Sequence, residues 1–306
     1  MQDLIIIGGG PAGISAGVYA SRKKLNTTVI AKDFGGQSIV SDSIENWIGT
    51  VTIPGPELAK QLESHLMAYA GDTVQVKKGE LGQKVEKIDG GFRVTTDKGS
   101  YEAKAVLITT GSHRRKLEAE NADQFEHKGI TYCASCDGPI FTGKDVVVIG
   151  GGNAGFESAS QLLAYTNSVT LLHRNADFKA DPVTIEAVLK DPKMTAIPNA
   201  QTVKILGDKF VTGLIYKDLI SGEEKEISCQ GVFVEIGNIP TTEMVDGLVP
   251  LDDFKRIKVD PWNQRTEMEG IWAAGDCTNA VYHQNNIAAG DAVKALEDIY
   301  VWVKAH

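Results

Sequence analysis

Leu4-Ile5-Ile6-Ile7 and Val146-Val147-Val148-Ile149 are continuous apolar runs with no polar face. Such runs predict parallel strands covered on both sides. Each runs into glycines: Gly8-Gly9-Gly10-Pro11-Ala12-Gly13 after the first, Gly150-Gly151-Gly152-Asn153-Ala154-Gly155 after the second. The apolar period then becomes helical, starting near Ala12 in one case and spanning about Ala154 to Tyr165 in the other. Residues 27–31 and 169–172 supply the next strand of each unit, and residues 57–71 repeat at helical spacing. From about Val74 to Glu102, short β-patterned runs alternate with Gly and Asp turns, which predicts an antiparallel meander. Val106-Leu107-Ile108 forms a further strand ending in Thr109-Thr110-Gly111, and the run from Val232 to Ile236 closes the second unit at Gly237. The tail carries a strand at 270–274, then Gly275-Asp276, then a helical pattern from about Asn286 to Val303, with Asn286 as its expected N-cap.

Strand, G-x-G-x-x-G and helix in succession is a dinucleotide-binding signature, and its repetition makes the signal strong. The expected fold class is therefore α/β, with two Rossmann-like, three-layer dinucleotide-binding domains. The tail has no fingerprint of its own and is expected to return to the first unit. That makes residues 1–112 and 242–306 one domain and residues 113–241 an insertion. In the first fingerprint Gly8, Gly10, Pro11, Ala12 and Gly13 are placed to cradle a diphosphate at a helix N-terminus. The strand that follows runs into Lys32-Asp33, so Asp33 is the candidate ribose ligand, and Thr110 and Gly111 end a neighbouring strand. In the tail, Gly275 and Asp276 follow a strand directly, and His283 precedes the last helix. The second fingerprint offers Gly150, Gly152, Asn153, Ala154 and Gly155 in the same roles. Its second strand ends in His173-Arg174-Asn175, with Lys179 close behind and no carboxylate at the strand end. Cationic groups there favour the 2′-phosphate of NADPH, with NADH the alternative.

The chain has 306 residues, enough for two domains, and a formal net charge of −9, which argues against nonspecific nucleic-acid binding. No basic leader opens the sequence and no stretch is long enough to span a bilayer, so the expected setting is the cytoplasm, without a membrane partner. The chain contains four cysteines, too few for a disulfide scaffold of this length, which directs attention to the close pair Cys133-Ala134-Ser135-Cys136. A zinc half-site would need two more ligands. Cys229 and Cys277 are isolated, and the histidines show no ligand spacing, so redox chemistry is preferred to metal binding. Asp137, adjacent to the second thiol, suits proton transfer in that chemistry. Cys229 and Cys277 read as buried thiols.

Taken together, Gly8 to Gly13, Gly35-Gly36-Gln37, Glu45-Asn46-Trp47, Thr110-Gly111, Cys133 to Asp137, Gly150 to Gly155 and Ala273 to Asp276 resemble the low-molecular-weight thioredoxin reductase family. They also resemble the C-terminal part of the alkyl hydroperoxide reductase flavoprotein. The resemblance implies an FAD domain interrupted by an NAD(P)H domain, usually in a homodimer. It implies an FAD site that includes Gly8, Gly10, Gly13, Gly36, Gln37, Asn46, Asp276, Gln284 and Asn285. It implies that Cys136 meets the flavin, that Cys133 attacks the disulfide of a thioredoxin-like partner, and that Asp137 is the acid–base residue. NADPH-specific members usually carry His-Arg-Arg with a further arginine; here the second arginine is replaced by Asn175 and the last basic position is Lys179. Rival expectations are a reductase for a peroxiredoxin system, a dithiol oxidase, and a flavin redox sensor without turnover.

Overall fold

The computed structural model describes residues 1–41 and 43–306. Along the chain come β1 (Gln2–Ile7), α1 (Pro11–Arg22), β2 (Thr27–Ala31), α2 (Gly55–Tyr69), β3 (Val74–Lys78), β4 (Gly82–Ile88), β5 (Gly91–Thr96), β6 (Ser100–Ile108) and β7 (Ser112–Arg114). Next are β8 (Ile130–Thr131), α3 (Ala134–Asp137), β9 (Asp145–Ile149), α4 (Asn153–Leu162), β10 (Ser168–Leu172), α5 (Pro182–Leu189) and β11 (Met194–Ile197). The chain continues through β12 (Ala200–Gly207), β13 (Val211–Asp218), β14 (Glu224–Ser228), β15 (Gly231–Val234), β16 (Asn238–Pro240), β17 (Ile271–Ala273) and α6 (Asn285–Ala305). Two compact units result, Met1–His113 with Ile239–His306, and Arg114–Asn238.

In the first unit β3, β2, β1, β6 and β17 lie side by side and parallel. The hairpin β4–β5 joins antiparallel to the start of β6. In the second unit the parallel order is β11-β10-β9-β15-β8, beside a separate antiparallel sheet β12-β13-β14. Both parallel sheets therefore have the Rossmann order, and the order reverses between β1 and β6 in one and between β9 and β15 in the other. A crevice opens at the carboxyl ends of strands at such a reversal.

Both faces of each central strand are covered, which is why they read as unbroken apolar runs. Leu4 and Ile6 pack with Ile14 of α1 and Leu296 of α6, while Ile5 and Ile7 pack with Val94 and Met244. Val146 and Val148 pack with Phe156 of α4, while Val147 and Ile149 pack with Leu214 of β13. Among the described residues, no helix is long and apolar enough to cross a membrane.

Three details depart from the sequence-based expectations. Val74–Lys78 is not part of an antiparallel meander; it pairs parallel with β2, from Thr27 opposite Val74 onward. The reason is the connection: α2 forms a crossover, and a helical crossover returns the next strand parallel. Helix α4 stops at Leu162, short of Tyr165. Asn286 is not the N-cap of α6; Gln284 holds that position without a side-chain capping bond, and Asn286 Nδ2 donates to the Asn46 carbonyl at 2.7 Å.

The fingerprint glycines have separable jobs. Gly8 (φ +127°) and Gly150 (φ +130°) occupy backbone conformations that side chains rarely adopt. A Cβ on Gly155 would lie 1.9 Å from the Gly150 carbonyl oxygen, whereas a Cβ on Gly152 would meet nothing within 4 Å. Gly155→Ala is therefore expected to destabilise the protein by about 1–3 kcal/mol through overpacking. Gly152→Ala is expected to stay within about 0.5 kcal/mol of the parent. Denaturant unfolding of the two variants checks the contrast, and equal losses would refute it.

Candidate functional site

The first unit contains a cavity of about 230 Å³ at the carboxyl ends of its strands. Its wall includes Gly8, Gly10, Pro11, Ala12, Asp33, Gly36, Gln37, Thr110, Gly111, Gly275, Asp276 and Asn285. Most residues singled out for the first dinucleotide site thus come together. Gly13 lies behind the wall, where it lets α1 close against the Gly8 carbonyl. Asn46, His283 and Gln284 do not line the cavity. Asn46 Nδ2 instead donates to Gln284 Oε1 at 3.2 Å, and Ser38 Oγ donates to Asn285 Oδ1 at 3.0 Å, which ties this loop to the start of α6. His283 Nε2 is buried with no hydrogen-bond partner among the described residues. Lys32, Glu80, Leu81, Gly82, Thr241 and Met244 also line the cavity, and sequence reasoning missed them. Only the turn-like Glu80-Leu81-Gly82 carried a local signal. Glu80 is buried, accepting from Thr96 Oγ1 at 2.5 Å and from the Tyr101 hydroxyl at 3.1 Å.

In the second unit, the segment after β10 folds back onto the fingerprint. The Lys179 N–H donates to the Gly151 carbonyl at 2.7 Å, and the Asp181 N–H donates to Asn153 Oδ1 at 2.8 Å. Lys179 thereby runs alongside Gly152, where it forms a parallel bridge. Lys179 and Arg174 are both exposed. His173, a candidate residue of this site, is engaged by the turn itself. Its Nδ1 accepts from the Gly151 N–H at 3.1 Å, so Nε2 carries the proton and donates to the Asp177 carbonyl at 3.1 Å. Burial, aided by the charges of Lys179 and Arg174, holds its pKa below the ordinary histidine value, although the Asp177 carbonyl opposes this. A neutral His173 braces the turn, leaving Arg174 and Lys179 as the charges offered outward. Gly150, Ala154 and Gly155 complete the turn into α4.

Cys133 and Cys136 form a disulfide, with Cα atoms 5.3 Å apart, across the single turn of α3. The Cys136 N–H points to Cys133 Sγ at 3.2 Å. Asp137 Oδ2 accepts a hydrogen bond from the Thr131 hydroxyl at the end of β8. Thr131 has no motif of its own, so this contact was invisible before folding. Cys229 and Cys277 are fully buried, and burial pushes their thiols up to about 12 and about 11.

Glu235 follows β15 directly, and sequence reasoning did not single it out. Burial raises its carboxyl from 4.5 to about 7, while the Ser158 hydroxyl, donating at 2.6 Å, and Arg114 oppose the shift. A raised carboxyl contributes stability that is complete below the ordinary value and lost as pH rises through about 7. Glu235→Gln cannot ionise, so its melting temperature is expected to rise relative to the parent between pH 5 and pH 8. A constant difference across that range would show that Glu235 titrates normally.

The family model for pyridine nucleotide-disulphide oxidoreductases matches residues 2–294. A Bacillus subtilis (strain 168) protein called NADH dehydrogenase is 41% identical over 294 residues, covering 96% of this chain and 57% of its own length. An alkyl hydroperoxide reductase component of Xanthomonas campestris pv. phaseoli is 40% identical over 296 residues, covering 96% and 55%. The chain thus spans little more than half of these relatives. Thioredoxin reductase from Streptococcus pyogenes MGAS5005 superimposes with a TM-score of 0.90 at 32% identity, covering 100% of this chain and 99% of that one.

Proposed function

The chain belongs to the pyridine nucleotide-disulphide oxidoreductase family, and on that premise we propose that it carries electrons from NADPH through FAD and the Cys133–Cys136 pair to a thioredoxin-like protein disulfide. The observation that carries this reading is the placement of the disulfide and Asp137 on one turn, in the same unit as the second fingerprint. The proposal includes a homodimer in the cytoplasm.

The first unit suits FAD. A Cβ on Gly10 would meet only the Gly36 Cα, at 3.9 Å, so the backbone is uncrowded where it would approach a diphosphate. When bound, FAD supplies the two-electron relay between nicotinamide and disulfide. The second unit suits NADPH, with Gly152 open beside Lys179, and with Arg174 available for a 2′-phosphate.

After reduction, the Cys136 N–H can stabilise a thiolate at Cys133, which supports Cys133 as the attacking sulfur. The Cys133 thiolate bonds to one partner sulfur and the partner S–S bond breaks. Asp137, held by Thr131, supplies a proton to the departing sulfur. Cys136 then attacks Cys133, re-forming the disulfide and releasing the partner as a dithiol.

A second reading is supply of a peroxiredoxin system from NADH. Asn175 in place of a second arginine favours it, as does the likeness to the alkyl hydroperoxide reductase component. Mixing purified protein with NADPH or NADH, and with either a panel of thioredoxin-like proteins or a peroxiredoxin and its peroxide, while following nucleotide absorbance, tests both. Nucleotide oxidation that requires a thioredoxin-like protein supports the first reading, and dependence on NADH and a peroxiredoxin supports the second. Arg174→Ala should weaken NADPH binding about tenfold to a hundredfold while sparing NADH, the cost of one charge-assisted bond. Equal effects on both nucleotides would remove Arg174 from the phosphate site. Cys136→Ser, once reduced, should trap a covalent partner complex, and Cys133→Ser should trap much less. Asp137→Asn should slow thiol exchange by about 10²–10⁴-fold. Stopped-flow kinetics with mass spectrometry of trapped species reads all three variants, and full turnover by either cysteine variant would rule out the pair as the catalyst.

A further inference from the structure

We infer that Glu235 is a positioning residue of the pyridine-nucleotide site that must take up a proton before the dinucleotide seats, an inference that rests on reading the second unit as that site.

Glu235 lies at the carboxyl end of β15, beside β9, where the strand order reverses. Its backbone abuts the fingerprint so closely that a Cβ on Gly150 would fall 2.2 Å from the Glu235 carbonyl oxygen. The first unit provides an internal comparison. A Cβ on Gly8 would fall 2.2 Å from the carbonyl oxygen of Thr109, which makes Thr109 the structural counterpart of Glu235. Thr109 is neutral and its hydroxyl donates to the Ile7 carbonyl at 2.8 Å. The same place in the second unit holds an ionisable carboxyl.

The groups around that carboxyl act in both directions. Ser158 of α4 donates to Oε1 at 2.6 Å. Arg114 of β7 favours the ionised form, and Glu157 of α4 disfavours it. Tyr132, just beyond β8, lies under the Arg114 guanidinium, 5.4 Å from ring centroid to charge. Gly150, Gly151 and Gly152 bring no ionisable side chain. Burial already raises the Glu235 carboxyl to about 7. A dinucleotide adds phosphate charge at the neighbouring turn, and a like charge disfavours ionisation further. The neutral acid has no such conflict.

If only the protonated form accepts the ligand, the apparent Kd equals the intrinsic value divided by the protonated fraction. For a group titrating at about 7, binding weakens about tenfold between pH 6 and pH 8. The test is titration of the FAD-loaded, disulfide-form enzyme with NADP⁺, which is redox-inert toward it. Calorimetry at pH 6, 7 and 8, in buffers of different ionisation enthalpy, gives both Kd and protons taken up. The 2′-phosphate titrates nearby, so the quantity read is the difference between parent and Glu235→Gln. The expected result is an additional loss of about tenfold in the parent, proton uptake near pH 7.5 that the variant lacks, and pH dependence retained by Glu235→Asp. A merely structural role would alter melting temperature and leave parent and variant profiles parallel, and parallel profiles overturn the inference. Should Glu235→Gln not fold, proton uptake beyond that of the 2′-phosphate, measured with NAD⁺ on the parent, decides; zero uptake with NAD⁺ overturns it. Failure of NADP⁺ and NAD⁺ to bind at any pH overturns the underlying reading, and the inference with it.

Discussion

Two places where backbone meets backbone with no Cβ between them hold the functional architecture together. At each fingerprint, the first glycine presses on the strand across the reversal point, and the last presses back on the first. A Cβ would stand 2.2 Å from the Thr109 carbonyl oxygen at Gly8 and 2.2 Å from the Glu235 carbonyl oxygen at Gly150. These contacts set the path from strand to helix, and so aim the N-termini of α1 and α4 at the crevice. The middle glycines are uncrowded, Gly152 with nothing within 4 Å of a Cβ and Gly10 with only the Gly36 Cα at 3.9 Å, which leaves their backbone accessible to a ligand. Packing and binding are thus assigned to different glycines of one short motif.

A bracing element completes the second turn. His173 spans from the Gly151 N–H to the Asp177 carbonyl, and Lys179 closes onto the Gly151 carbonyl. An imidazolium could not accept from Gly151, so the bracing depends on the neutral ring. The depressed pKa of His173 and the position of Lys179 are therefore two aspects of one local fold. The charge that reaches solvent is carried by the side chains with no such internal duty.

Much of this was legible in the sequence because the signals are local. Unbroken apolar strands, glycine spacing and the change to helical period gave both Rossmann cores. The thiol pair and Asp137 declared themselves by adjacency. Strand direction was not local, since Val74–Lys78 joins β2 only through the α2 crossover, and its alternating pattern suits either direction. The lining of the first cavity by Lys32, Glu80 and Met244 depends on segments that meet only in the folded sheet. Thr131 and Glu235 were missed for the same reason: each is hydrogen-bonded to a neighbour that folding supplies.

The two units use one frame to present different groups, and the outermost strand shows how. In the first unit that strand is β17, which arrives from the end of the chain and delivers Gly275 and Asp276 to the cavity. In the second unit it is β8, which arrives ahead of the fingerprint. The chain leaves β8 at the carboxyl edge of the sheet and turns at once into Cys133, Cys136 and Asp137. The corresponding sheet position thus carries a cavity-lining acid in one unit and a disulfide in the other. Because both strands are parallel to their neighbours, both deliver their loops to the edge where the fingerprint opens. The paired sulfurs consequently need no scaffold of their own, and the sheet that would hold the nucleotide also fixes the disulfide.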